Sequence, residues 1–119
     1  MVRVLIIEND RQNRALITFI LEKNGFDVLE AINGQAGVQL AIMERPDLIL
    51  MDIQLPIMNG FKATEILRKN NETKDIPIIA VTAHVMNGDW QKAFKTGFTD
   101  YLIKPFSISD FLTLVNEYV

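Results

Sequence analysis

The sequence predicts an α/β fold: a parallel sheet with helices on both faces. Three observations carry it. Apolar runs rich in β-branched residues alternate five times with helical patterns. The runs at 48–51 and 78–81 are continuously apolar, and that at 2–7 is broken only by Arg3, as suits strands buried on both faces. Each of them stops on a polar residue, which places chemistry along one edge of the sheet.

Taken in order, Val2–Ile7 reads as the first strand, followed by Glu8-Asn9-Asp10, with Asp10 placed to cap a helix over 11–24. That helix carries an apolar stripe of Ala15, Leu16, Phe19, Ile20 and Leu21, and Gly25 stops it. Residues 26–32 read as a more polar strand, Asn33-Gly34 as a turn, and 36–44 as a helix that Pro46 ends. The strand at 48–51 runs into Asp52. Pro56, Asn59 and Gly60 then turn the chain and leave Asp52 at a mouth rather than in the core. A helix over 61–70, a strand over 78–81, a helix over 87–96 closed by Gly97, and a strand over 101–103 follow. Ser107-Ile108-Ser109-Asp110 resembles a capping box and opens a last helix running to the C-terminus. The phenylalanines at 94, 98, 106 and 111 are expected mainly in the core, with Met58 and Met86 as loop packing. Trp90 is expected as helix packing or a partner contact.

The chain's 119 residues fit one domain, 1–119, with 49% hydrophobic and 23% charged residues, the balance of an ordinary globular protein. A net charge of −3 predicts no general attraction to nucleic acid or an anionic membrane. The absence of cysteine excludes disulfides and thiolate metal sites. No apolar run approaches the ~20 residues that span a bilayer. The N-terminus lacks the pattern of a signal peptide, so a cytoplasmic protein is expected.

The strand ends supply different groups: Glu8, Asn9 and Asp10, then Asp52, Thr82 and Lys104. On one edge of a parallel sheet they converge. Two carboxylates 4 Å apart repel by about 4 kcal/mol at an effective dielectric near 20. A hard divalent cation such as Mg²⁺ removes that repulsion. Lys104 brings a further positive charge and Thr82 a hydroxyl donor. A carboxylate nucleophile among such groups suits phosphoryl transfer onto Asp52.

VLIIEND, DLILMDIQLPIMNG, AVTAH and DYLIKPF, in this order and spacing, resemble the receiver domains of two-component response regulators over essentially the whole chain. The resemblance implies a flavodoxin-like (βα)5 three-layer sandwich with strand order 2-1-3-4-5. It implies that Asp52 accepts a phosphoryl group from a histidine kinase or phosphotransfer protein, with Mg²⁺ held among Glu8, Asn9, Asp52 and Gln54. It implies that Thr82 and Lys104 bind the phosphoryl oxygens, that Tyr101 is the switch aromatic, and that the Lys104–Pro105 bond is cis. Gln54 and His84 stand where the family tunes phosphoryl lifetime. Output is implied through protein contacts on the face of the fourth helix, fifth strand and fifth helix, around Lys92, Lys95, Tyr101 and Phe111. The pattern is closest to single-domain regulators and hybrid-kinase receivers.

One residue departs from the pattern. The family has two adjacent acids after the first strand; here they read Glu8-Asn9. An amide offers a carbonyl oxygen without charge, so weaker Mg²⁺ binding is expected. A phosphate-independent pseudo-receiver is the alternative function. A phosphatase reading is disfavoured by Gln54, which stands where such an enzyme has its general acid. A flavin carrier is disfavoured by the acids after the first strand, which would repel the cofactor phosphate. The chain is therefore read as a phosphoacceptor and not as an enzyme.

Overall fold

The computed structural model describes residues 1–83 and 89–119, the side chain of Asp89 excepted. Along the chain run β1 (Arg3–Ile7), α1 (Arg11–Lys23), β2 (Asp27–Ala31), α2 (Gly34–Glu44) and β3 (Leu48–Met51). They are followed by α3 (Gly60–Lys69), β4 (Ile78–Thr82), α4 (Asp89–Thr96), β5 (Asp100–Ile103) and α5 (Ile108–Glu117). The strands form one sheet in the order β2-β1-β3-β4-β5 with every pairing parallel. This is the flavodoxin-like topology expected from the sequence.

The alternation of side chains along each strand divides the core in two. Leu5, Ile7, Ile49, Met51, Ile78 and Ala80 face α2, α3 and α4, where Val38, Ala41, Ala63, Leu67 and Ala93 meet them. Val4, Ile6, Leu48, Leu50, Ile79 and Val81 face α1 and α5, against Ile17, Ile20, Leu21, Phe111 and Val115. Strands β1, β3 and β4 lie inside the sheet and are apolar on both faces. The edge strands are less covered: on β2 only Ala31 is buried, and β5 alternates half-buried with exposed residues, which explains the polar reading of β2.

Local chemistry fixes the helix ends. Asp10 caps α1 by accepting from the Gln12 N–H. Gly25, at φ 87°, closes α1 with Phe26 N–H on the Leu21 carbonyl and its own N–H on Glu22, the paired bonds of a Schellman stop. Asn33 and Gly34 are not a free turn. Asn33 is the N-cap of α2, with its side chain accepting from Ala36 N–H at 2.8 Å, and Gly34 is the first helical residue. Ser107 caps α5 on the Asp110 N–H, and α5 ends at Glu117 rather than at the last residue. The beginning expected for the fourth helix at Asn87, and Met86, lie outside the described residues.

Three packing expectations are corrected. The buried stripe of α1 is Ile17, Ile20 and Leu21, while Ala15, Leu16 and Phe19 are exposed. Phe94 is 52% exposed, because Ala93 takes the core position of α4 and the next residue turns outward. Phe111 is 1% exposed and stacks on Phe106 inside the α1/α5 layer, so it belongs to the core and not to an output face.

Candidate functional site

Parallel pairing brings the strand ends level. Ile7 lies beside Met51, and Met51 beside Ala80. The Asp52 N–H donates to the Ile7 carbonyl at 3.0 Å, and the Glu8 N–H to the Ala31 carbonyl at 3.0 Å. On the other side, the Lys104 N–H donates to the Thr82 carbonyl at 2.9 Å. Glu8, Asp52, Thr82 and Lys104 therefore sit one step beyond the last core residues of four different strands. No long-range contact has to be found separately for each; the sheet register sets them all.

The side chains of three of them meet. Lys104 Nζ donates to Glu8 Oε1 and, at 3.2 Å, to Asp52 Oδ2. Glu8 is only 3% exposed. A buried carboxylate needs compensation, and Lys104 on one oxygen with the Asp10 N–H on the other, at 3.1 Å, supplies it. Asp52 is held in the same two-handed way: Oδ2 by Lys104 and Oδ1 by the Gln54 N–H at 3.0 Å. Burial alone would lower the Lys104 pKa. The Glu8 hydrogen bond and the charges of Asp52 and Glu8 together outweigh it and hold the ammonium above its ordinary value.

Thr82 is buried at the end of β4, and Asn9 is exposed at the mouth. Gln54 is exposed and meets Asp52 through its backbone. Asp10 is occupied as the α1 cap. Tyr101 lies away from this cluster: it is exposed on β5, with its ring 4.1 Å from that of Trp90. The Lys104–Pro105 peptide is cis. His84 lies outside the described residues.

Two supports were not read from the sequence. Arg14 Nη1 donates to the Glu8 carbonyl at 2.9 Å and Nε pairs with Glu30 at 3.2 Å, tying α1 and β2 to the end of β1. Its position one turn after the Asp10 cap was the available signal. Gly60 packs under the loop that follows Asp52. A Cβ there would stand 2.7 Å from the Asp52 carbonyl oxygen and 2.8 Å from Ile53 Cα, so no larger residue fits without moving the backbone of Asp52 itself.

The donors at the mouth are oxygens from two carboxylates and the Asn9 amide, a hard set that suits Mg²⁺. Among the described residues each carboxylate oxygen accepts one hydrogen bond and keeps lone pairs for a cation. Among the described residues no group of three or more His, Cys, Asp or Glu gathers. The fit is therefore that of a two-carboxylate site completed by water and substrate oxygens.

Comparison with known proteins agrees with this geometry. The chain is 38% identical over 116 residues to the polar-differentiation response regulator DivK of Brucella anthropi, covering 98% of this chain and 94% of that one. It is 42% identical to the protein PilH of Pseudomonas aeruginosa, covering 98% and 96%. The receiver domain of a Pseudomonas aeruginosa sensor histidine kinase, solved with magnesium in its active-site cleft, superposes with a TM-score of 0.92 at 32% identity, over 98% of this chain and 96% of that one. The model of the response regulator receiver domain matches residues 4–116, and the chain belongs to that family.

Proposed function

We propose that this receiver domain accepts a phosphoryl group on Asp52 from the phosphohistidine of a kinase or phosphotransfer protein. The observation that carries the reading is the sharing of the Lys104 ammonium by Asp52 and the buried Glu8 at the sheet's carboxyl edge. An Asp52 carboxylate oxygen attacks phosphorus, the P–N bond breaks, and the imidazole nitrogen keeps the electron pair. The Gln54 N–H and Lys104 fix the Asp52 rotamer for that attack. As charge builds on the phosphoryl oxygens, Lys104 is close enough to turn from Glu8 towards them, and Thr82 stands at the neighbouring strand end. Glu8, Asp52, Asn9 and the backbone about Gln54 would hold Mg²⁺, which when bound supplies positive charge to the phosphoryl oxygens. The domain is a phosphoacceptor and not a turnover enzyme.

Output passes to a protein partner through α4 and β5, where Lys92, Lys95, Phe94 and Tyr101 are exposed. No helix among the described residues is long and apolar enough to cross a membrane. We place the reaction in the cytoplasm, with the donor kinase's ATP. Incubation with acetyl phosphate and Mg²⁺, read by intact mass, tests the reading. One added phosphoryl group on the wild type and none on Asp52→Ala is expected; a folded wild type that gains none overturns it.

Asn9 favours a second reading, a phosphate-independent interaction domain, because the mouth has one fewer negative charge and Lys104 already balances another. A partner complex that forms equally with Asp52→Ala and without Mg²⁺ would select it.

A further inference from the structure

Between α3 and α4 the surface opens into a groove of about 640 Å³. Its charged lining is Arg68, Lys69, Lys92 and Lys95 against one acid, Glu65. The whole chain carries −3, so positive charge is concentrated here against the sign of the molecule. Glu65 does not balance it. Its carboxylate is already shared by Lys69 at 3.3 Å and Lys62 at 3.7 Å, and the Lys69 hydrogen bond and the two lysine charges hold it below its ordinary pKa. Lys92 and Lys95 have no acidic partner among the described residues. Lys92 is also positioned: its ammonium lies 4.5 Å from the centre of the Phe61 ring, which limits its wandering. The two lysines are three residues apart on α4, hence neighbours on one helix surface.

We propose that this groove docks an acidic peptide segment of a protein partner, with the segment's carboxylates on Lys92 and Lys95. The donors favour carboxylates on a flexible chain over phosphate. Arg68, the one guanidinium present, has spent its fork: Nε on the Gly97 carbonyl at 2.9 Å, and Nη1 on the Ile76 and Lys74 carbonyls at 2.7 and 3.0 Å. What remains are ammonium groups, point charges without the planar geometry that recognises phosphate in two bonds. A long polyanion such as nucleic acid would extend past the groove over a negatively charged body. A short acidic segment meets the positive strip alone. Lys92 and Lys95 also belong to the output face proposed above, so the inference rests on that part of the reading and names the chemistry of its partner; the groove lies apart from Asp52 and does not depend on phosphoryl transfer.

The test is a titration of ¹⁵N-labelled protein with an acetylated hexaglutamate peptide at low salt, followed by amide shifts. Shifts are expected along α3 and α4, fading as ionic strength passes about 0.15 M, where screening length falls to ~8 Å. They should weaken about tenfold in Lys92→Glu/Lys95→Glu. Phe61→Leu, which keeps both charges but frees Lys92, should weaken them a few fold. Asp52→Ala should bind as the wild type does. Where charge reversal disturbs folding, Lys92→Gln/Lys95→Gln gives the same reading. The absence of shifts, shifts only at the Glu8–Asp52 mouth, or shifts unchanged in the double variant would overturn the proposal. So would tighter binding of inorganic polyphosphate than of the peptide. Acetyl phosphate labelling of the same samples keeps the two proposals separable, since failure to label leaves the groove result standing.

Discussion

Lys104 places one positive charge between Glu8 and Asp52, and Asn9 adds none, so the mouth carries about one net negative charge. An acid at position 9 would make it two and bring a third carboxylate to the cation. Asn9→Asp is therefore expected to tighten Mg²⁺ binding on the order of tenfold by calorimetry, since affinity for hard cations follows ligand charge. Unchanged affinity would show that position 9 does not face the cation. Ile57 is a second residue set against its chemistry. It stands at φ 68°, 78% exposed, in the loop after Asp52, with the Met58 N–H closing on the Pro56 carbonyl at 2.7 Å. A β-branched side chain is strained there, at about 1–2 kcal/mol. Asn tolerates positive φ, so Ile57→Asn should stabilise the domain by about 1 kcal/mol and raise the melting temperature by roughly 4 °C. A lower melting temperature would mean that the isoleucine has packing value the φ angle hides.

Arg68 organises more structure than any other charged residue on α3. Its donors satisfy carbonyls of the α3–β4 connection and of the turn after α4, and Nη2 reaches Thr99 Oγ1 at 3.3 Å. Burial holds its pKa below the ordinary guanidinium value, although Asp75 opposes this. Arg68→Ala should cost about 2–3 kcal/mol in urea unfolding, because several half-buried carbonyls lose their donor together. Arg68→Lys should recover little of it, since one ammonium cannot span the same acceptors. Elements of this kind mark what the sequence reveals. The strands β1, β3 and β4 were legible because burial on both faces leaves a continuous apolar run. Asp52 was legible because a charged residue directly after such a run has one place to go, and Lys104 because it stands at a strand end before Pro105. The α1 stripe was not: Leu16 and Phe19 are as apolar as Ile17 and Ile20, and only the tertiary contact decides which face is covered. Lys23, lying 5.5 Å over the Phe19 ring, shields part of the face left outside. Asn33 reads as a turn in the sequence because the same side-chain bond serves an Asn turn and an N-cap. Arg68 gave no signal at all, since all its partners but Thr99 Oγ1 are backbone carbonyls, and carbonyls have no sequence.

At the scale of the molecule, the alkaline end of the stability curve depends on how the layers are tied. The Tyr118 hydroxyl donates to Asp100 at 2.7 Å, fastening the end of α5 to β5, and the bond pushes the phenol up to about 12. A phenol that keeps its proton when folded and loses it near its ordinary value when unfolded stabilises the fold below about pH 10. That contribution disappears as pH climbs towards 12. Lys104, also raised, acts in the same direction. Stability should therefore fall between roughly pH 10 and 12, and Tyr118→Phe should make the fall shallower while lowering stability at neutral pH. Urea midpoints near pH 9 and 11 for both proteins would show it; parallel slopes would exclude Tyr118. The sheet order brings polar groups from several strands to one edge of a small body. The central strands end there in Glu8, Asp52 and Thr82, and the edge strand β5 carries Lys104 at its end and Tyr101 on its exposed face.

Trp90, the only tryptophan in the chain, lies with its ring 4.2 Å from Phe94 and 4.1 Å from Tyr101. The indole is thus an optical gauge set against Tyr101, the residue that the resemblance implies as the switch. Any movement of Tyr101 away from the indole would change the intensity and colour of the light Trp90 emits, with no dye attached and no residue replaced. The protein can report its own state from a cuvette, and time-resolved emission would count how many molecules hold each arrangement before any partner is known.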